Sequence, residues 1–495
     1  MSARTGAQYL EGLRDERRVW AGDKEVDVLA HPPFAGSLKG QAGYFDWQHR
    51  FAEDCLTPDP ANGSPMSASH IVPRSAEDLK VRHRCLDRLA KYSFGMLGRT
   101  PDYINVTLAG FVARADLFAQ GGPEYAERLK RFHREVVDGD LSLTHALIQP
   151  AIDRSIGDLQ GQNGELALKV VDRKANGVIV RGAKVLATLA PFADEIFVYP
   201  QIPLPPGADP AHALAFSIPV ATKGLITICR DHYGVDGSPE DHPFSARFDE
   251  QDGFMIFDDV EVPHERLFLD SNLEVYNQVR FSGWTGNVFQ QTSIRAANKL
   301  EFAYRLGVEM TQVMNASSRQ DYALQLGEIW AYAQLARAAT AAAEANARDW
   351  GDGAFFPDDR PLRALRDLLP TWMARTNEIF KAIGSHNLLA TPSLQAFDNP
   401  AMAELLERYL PGAGEIGARE RARVFRAAWD FAGSALGGRV ELYEKFYLAS
   451  QPRNFARDHM QSQQEGMYAS LVREFLDDLE AGNPHPVHNA QPSGG

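Results

Sequence analysis

Apolar and polar positions along the chain fall into three successive patterns. Near the start they recur at helical spacing. In TGAQYLEGLRDERR, Thr5 stands as an N-cap ahead of Tyr9, Leu10 and Leu13. SAEDLKVRHRCLDRLAKYSFGMLG opens with Ser75 as a cap and carries acids in its first turn. PEYAERLKRFHREVVDGD repeats the pattern, with Gly139 near its end. The first roughly 145 residues are therefore expected to be mainly helical.

The pattern changes at NGELALKVVDRKANGVIVRGAKVLATLAPFADEIFVYP. Leu166, Leu168 and Val170 alternate, Asn176-Gly177 reads as a hairpin turn, and Val178 and Val180 resume the alternation. HALAFSIPV, GLITICR and DGFMIFDDVEVPHERLFL continue in the same style. An antiparallel β domain without βαβ alternation is expected from roughly residue 155 to 270.

Helical spacing returns at about residue 275. Leu300, Ala303, Tyr304, Val308 and Thr311 share one face of a long helix. The alanine-rich LGEIWAYAQLARAATAAAEANARDW favours helix and close backbone approach. Further helices are expected in LPTWMARTNEIFKAIGSHNLL, PAMAELLERYL, ARERARVFRAAWDFAGSAL and EGMYASLVREFLDDLEAG, followed by a loose tail, NPHPVHNAQPSGG. The fold class is α+β, in the order helices, β domain, helical bundle.

Composition narrows the partners. At 495 residues the chain exceeds one compact core, so two or three domains are expected. A net charge of −14 disfavours nucleic acid and anionic membrane surfaces, since no basic cluster is present to neutralise phosphates. No run reaches the ~18 apolar residues of a membrane span, and the N-terminus lacks a signal-peptide core. Cys55, Cys85 and Cys229 are odd in number and widely spaced, which suggests neither a disulfide framework nor a zinc site. A cytoplasmic, metal-free protein is the expectation.

Two stretches imitate ligand motifs. Gly412, Gly414 and Gly417 have dinucleotide-fingerprint spacing, but a helical segment rather than a strand precedes them, so a helix–helix connection is expected. His232 and His242 lie among acids in RDHYGVDGSPEDHPFSARFDEQD without metal-ligand spacing, and a solvated loop is expected there. No Walker A motif is present.

Three segments carry candidate chemistry. In GMLGRTPDYIN, Pro101 fixes its own φ and holds Thr100 extended, so Arg99 and Tyr103 flank a shaped corner. In LSLTHALIQPAIDR, His145 sits in apolar company ahead of Pro150. In VRGAKVLATLAP a strand ends in Thr188. Singly, the histidine reads as a core residue and the threonine as a local cap.

Together they resemble one family. TGAQYL, GRTPDY, H-A-x-x-x-P-x-I-D-R, GAKVLAT, GSPEDHPFSARFDEQD and GGRVELYEKFY are similar, in this order, to the 4-hydroxyphenylacetate 3-monooxygenase family. Its members are oxygenase components of two-component FAD-dependent phenol hydroxylases. The resemblance implies an acyl-CoA-dehydrogenase-like fold: an N-terminal α-helical domain over 1–148, a β-barrel domain over 149–275, and a C-terminal four-helix bundle with a loose tail over 276–495. It implies a homotetramer, FADH2 delivered by a separate NAD(P)H-flavin reductase, O2 as co-substrate, and ortho-hydroxylation of a phenol to a catechol through a flavin C4a-hydroperoxide.

It also implies roles for residues. Arg99, Tyr103 and His145 are the catalytic set, and Thr100, Pro101, Asp102, Pro200 and Gln201 join them in substrate binding. His145, Ala146, Leu147, Ala151, Ile152, Asp153, Arg154 and Thr188 would contact FAD, with Ala449, Ser450, Gln451 and Pro452 closing on it from the last domain. A phenol has a pKa of ~10, and phenolate is the better carbon nucleophile, so the site must favour the anion. Arg99 does so by charge, and His145 can take the proton.

The loop PQIPLPPGADPAH departs from the family's small hydroxyl residues, which leaves open a longer phenol, a halogenated or nitrated one, or a tyrosine derivative on a carrier protein. Acyl-CoA-dehydrogenase chemistry and a non-catalytic flavin-binding protein remain as alternatives. The related 4-hydroxybutyryl-CoA dehydratases need cluster-binding cysteines, where this chain has Arg99 and Tyr103.

Overall fold

A computed structural model describes residues 3–153, 155–235 and 237–481. The N-terminal part carries helices α1 (Gly6–Gly12), α2 (Ala35–Arg50), α3 (Ala76–Ser93), α4 (Pro101–Ala113) and α5 (Pro123–Gly139). Local signals set their starts. Thr5 and Gln8 form a capping box, and Ser75 accepts the amide of Asp78. Pro101 opens α4 because its missing N–H costs nothing in the first turn. Almost every residue of α4 is buried, so this helix runs through the centre of the molecule.

The strands are β1 (Arg18–Ala21), β2 (Lys24–Glu25), β3 (Leu143–His145), β4 (Lys169–Lys174), β5 (Gly177–Thr188), β6 (Glu195–Val198), β7 (Leu214–Pro219), β8 (Leu225–Cys229), β9 (Asp252–Pro263) and β10 (Leu267–Asp270). They form a six-stranded sheet, β2-β1-β8-β9-β5-β4, and a four-stranded sheet, β10-β7-β6-β3. Val180, Met255, Phe257 and Val262 of the first and Ile196, Phe216 and Leu267 of the second share one core. Two packed sheets thus stand where a barrel was expected.

Three further expectations need correction. The β domain is not purely antiparallel and draws strands from the N-terminal part, since β1 joins β8 and β3 joins β6, both in parallel. These pairings bridge distant segments, which no short-range pattern reveals. The hairpin turn sits one residue early, with Lys174 opposite Gly177. The stretch between β8 and β9 is no solvated loop: Phe244, Ser245, Phe248, Asp249, Glu250 and Gln251 are buried. Asp430 accepts the amides of Phe244 and Ser245 at 2.7 and 2.9 Å, which docks this strap on the C-terminal helices.

Those helices are α6 (Trp284–Gln312), α7 (Gln320–Ala345), α8 (Asp359–Gly384), α9 (Pro400–Tyr409), α10 (Ala418–Ala432), α11 (Ala435–Phe446), α12 (Gln451–Gln464) and α13 (Leu471–Glu480). Ala333 and Ala336 of α7 meet Ala296, Ala297 and Leu300 of α6, the close approach that small side chains permit. Helix α8 begins ten residues before Leu369 and runs through Pro370, which the sequence pattern placed at a helix start. Gly412, Gly414 and Gly417 lie in the link between α9 and α10. The tail over 483–495, with His485 and His488, lies outside the described residues. Among the described residues no helix is long and apolar enough to cross a membrane.

Candidate active site

Arg99 lies on the short segment between α3 and α4, and only 8% of it is exposed. Its guanidinium stacks on three tyrosine rings: Tyr103 at 4.0 Å, Tyr447 at 5.1 Å and Tyr443 at 5.3 Å from the ring centroids. Among the described residues no carboxylate pairs with it, and its Nη1 is buried without a hydrogen-bond partner. The hydroxyl of Tyr443 is likewise buried and unpartnered. A buried cation without a counter-charge, beside an orphan hydroxyl, is a seat for an anion.

The backbone around Arg99 is held from behind. Glu250, fully buried, accepts the amides of Gly98 and Arg99 through Oε1, at 2.7 and 2.5 Å. Its Oε2 pairs with Arg439 of α11 at 2.7 Å. Arg439 also grips Asp252 at 2.7 Å, and Asp252 accepts the hydroxyl of Thr188 at 2.7 Å. One chain of charge-assisted bonds therefore joins the Arg99 segment to the end of β5. Arg295, Lys299 and Glu444 make a second buried cluster, in which Arg295 also contacts the hydroxyl of Tyr447 at 3.0 Å.

Glycine at 98 is required by packing. A Cβ there would stand 2.3 Å from Cζ of Tyr443, so only a bare backbone lets the tyrosine reach Arg99.

His145 ends β3, opposite Phe197 of β6. Its ring meets Tyr103 edge-on, with centroids 5.5 Å apart, and its Nδ1 lies 2.7 Å from the hydroxyl of Tyr199. Burial, reinforced by Arg99, pushes its pKa well below the usual histidine value, so the imidazole is neutral at pH 7. The structure thus brings Arg99, Tyr103 and His145 together.

Tyr103 also lines a cavity of about 1390 Å³, with Ile148, Gln201, Ile202, Trp284, Tyr447 and Ser450 on its other walls. Arg99 and His145 contact the Tyr103 ring and are not themselves among the residues that line the cavity. Pro200 is buried beside Gln201. Ala449 and Ser450 line the cavity where α12 begins, with Ser450 as N-cap and Pro452 in the first turn. A second concavity of about 730 Å³ lies between α11 and the six-stranded sheet, walled by Leu186, Ile228, Phe254, Arg439 and Leu442.

Other expected site residues have their groups engaged elsewhere. The two carboxylate oxygens of Asp102 accept from Tyr44 at 2.8 Å and Gln291 at 2.9 Å, as a structural staple. It neighbours Tyr103 in sequence, but the ~100° step of a helix turns it to another face. The side chain of Gln451 bonds Thr371 and the Asp367 carbonyl of α8. Thr100 and Pro101 shape the turn into α4. The amide of Ala146 donates to Phe197, and the carbonyl of Leu147 accepts from the buried Lys184 at 3.1 Å. Ala151, Ile152 and Asp153 are exposed, and Asp153 accepts the amide and hydroxyl of Ser155. Arg154 lies outside the described residues.

Glu250, Arg439, Tyr443, Tyr447 and Tyr199 surround the site without having been singled out from sequence. The first four lie within FDEQD and GGRVELYEKFY, and Tyr199 immediately precedes Pro200.

Comparison with known proteins places this geometry. The model of the 4-hydroxyphenylacetate 3-hydroxylase N-terminal region matches residues 5–269, and that of the C-terminal region matches residues 279–477. The 4-hydroxyphenylacetate 3-monooxygenase oxygenase component of Thermus thermophilus is 34% identical over 96% of this chain and 97% of its own length. A Streptomyces globisporus monooxygenase named for a carrier-bound 3-amino-3-(3-chloro-4-hydroxyphenyl)propanoyl group is 32% identical over 96% of this chain and 88% of its own. A solved 4-hydroxyphenylacetate 3-monooxygenase oxygenase component, complexed with FAD and 4-hydroxyphenylacetate, is 33% identical with a TM-score of 0.91, covering 97% of this chain and all of that one.

Proposed function

The chain belongs to the 4-hydroxyphenylacetate 3-hydroxylase family, as an aromatic monooxygenase oxygenase component, and we propose that it converts a para-substituted phenol to a catechol with FADH2 from a separate NAD(P)H-dependent reductase and O2. The observation that carries this reading is the buried Arg99 guanidinium, which has no carboxylate partner among the described residues and lies beside a neutral imidazole and the orphan hydroxyl of Tyr443.

The residues present fit a flavin. Ile148, Trp284 and Phe289 give the cavity apolar walls, it exceeds the ~300–1,000 Å³ of a single small-molecule site, and α12 begins at its wall with Ser450 as N-cap. The segments around His145–Asp153, Thr188 and Ala449–Pro452 would hold the cofactor. Arg154 is assigned to its diphosphate from the family resemblance alone. Bound reduced flavin supplies the electrons that turn O2 into an electrophilic oxygen donor.

The protein's own part is to make the ring a nucleophile. Nε2 of His145 accepts the phenol proton, and Arg99 stabilises the phenolate oxygen. Charge on that oxygen spreads to the ortho carbon, which directs attack there. Burial excludes water and strengthens the guanidinium's pull. Gln201, Ile202 and Pro203 face the para substituent, which is either free or tethered to a carrier protein.

Three domains, divided near residues 148 and 275, are proposed to assemble as a homotetramer. Leu324, Trp330 and Leu335 on α7 and Val472, Phe475 and Leu479 on α13 expose apolar side chains for subunit contact. The testing experiment mixes the protein with FADH2, oxygen and a panel of para-substituted phenols, free and carrier-tethered. A product heavier by one oxygen, with catechol reactivity, is expected. Reduction of bound FAD by acyl-CoA, with no hydroxylated phenol from any member of the panel, would overturn the proposal.

A further inference from the structure

Tyr199, the residue after β6, is only 2% exposed and packs its ring against Phe111, Phe197 and Trp284. Phenylalanine would fill that aromatic cluster as well. The hydroxyl is what needs an explanation: it lies 2.7 Å from Nδ1 of His145 and within hydrogen-bonding reach of the hydroxyls of Tyr103 and Thr107. Thr107 in turn bonds the carbonyl of Tyr103 at 2.9 Å, one helical turn back.

Among the described residues, the titratable and charged groups facing the imidazole are Arg99 from the segment before α4, Tyr103 from α4 and Tyr199 after β6. None is an acid that would stabilise an imidazolium. A base that ends its task doubly protonated would stand, desolvated, beside a guanidinium, and that charge would compete with Arg99 for the phenolate. The site therefore favours a base that stays neutral.

We propose that Tyr199 is a positioning residue for phenol deprotonation, receiving the Nδ1 proton of His145 as Nε2 takes the proton of the substrate. This rests on the reading of His145 as the base. The phenol O–H breaks and Nε2–H forms; Nδ1–H breaks and a new O–H forms on Tyr199. The original proton of Tyr199 passes to the oxygen of Tyr103, whose own proton leaves to solvent through the cavity that Tyr103 lines. The imidazole changes tautomer without gaining charge, and one proton has moved from phenol to solvent. Burial and neighbouring Tyr103 keep the phenol of Tyr199 well above the usual tyrosine range, so it is protonated and ready to relay.

The test reads hydroxylation of 4-hydroxyphenylacetate by the FADH2-loaded enzyme across pH, in wild type, Tyr199→Phe, His145→Ala and the double variant. The far-UV circular dichroism and thermal unfolding midpoint of each variant mark an intact fold. Tyr199→Phe is expected to slow hydroxylation roughly 10–100-fold at pH 7 and to recover as pH rises and the phenol ionises by itself. The double variant should be no slower than His145→Ala alone, because the tyrosine acts through the histidine. A Tyr199→Phe profile that runs parallel to wild type, or a double variant slowed by the product of the single effects, overturns the relay. A wild-type profile in His145→Ala overturns the base reading itself, whereas a shifted His145→Ala beside an unshifted Tyr199→Phe overturns the relay alone. A proton inventory on the wild-type enzyme needs no substitution: a plot bowed against D2O fraction supports several protons in flight, and a straight one overturns the proposal.

Discussion

Glu250 holds Arg99 by its backbone, with Oε1 accepting the Arg99 amide at 2.5 Å and the Gly98 amide at 2.7 Å, while Oε2 pairs with Arg439. Among the described residues the guanidinium is thereby left free of any carboxylate, and its position is set by a carboxylate that never touches it.

Replacing Glu250 with glutamine keeps the size but leaves Arg439 buried with one partner fewer. Breaking a buried pair in this way costs about 3–5 kcal/mol. Glu250→Gln is expected to lower unfolding free energy by an amount near the bottom of that range, since Asp252 still grips Arg439. Chemical denaturation measures the stability. Catechol yield per FADH2 consumed should fall with it, as the Arg99 segment loosens.

Gly98→Ala places a methyl group against the ring of Tyr443. Overpacking of this kind costs about 1–3 kcal/mol. Because the clash is with one side chain, Tyr443→Ala in the Gly98→Ala background should recover part of the lost thermal stability. Additive losses in the double variant would contradict the packing described.

Glu444 shows how acid would open the site. Burial opposes its ionisation, but Arg295 and Lys299 outweigh that and hold its pKa at about 2. The folded value lies below the unfolded one of ~4.3, so the associated stability is present above the unfolded value and is lost as pH falls toward 2. Glu444→Gln should be less stable than wild type at pH 7 and should show a shallower fall in stability between about pH 5 and 2. Unfolding free energies measured across that range check both the sign and the window.

Much of the fold was legible because its signals are local. The caps at Thr5 and Ser75, the proline that opens α4 and the alternation in β9 are each written within a few residues. The strand Arg18–Ala21 was not, because its parallel partner lies some two hundred residues on. The same limit governed the site. Arg99, Tyr103 and His145 stand out through the turn and strand that carry them. Glu250 and Asp252 meet Arg439 across separations of 189 and 187 residues, so nothing near any of them announces the bond. Asp102 shows the converse limit: it adjoins Tyr103 along the chain, yet its carboxylate is taken up by Tyr44 and Gln291.

The central claim is that a buried, uncompensated guanidinium makes the phenol a nucleophile. It is tested most directly by Arg99→Ala, mixed as the FADH2 complex with oxygen and 4-hydroxyphenylacetate, with catechol and hydrogen peroxide quantified together. The account predicts FADH2 affinity close to wild type, oxidation of the flavin with hydrogen peroxide as the main product, and a fall in catechol of at least roughly 100-fold. Catechol formed at the wild-type rate would contradict it.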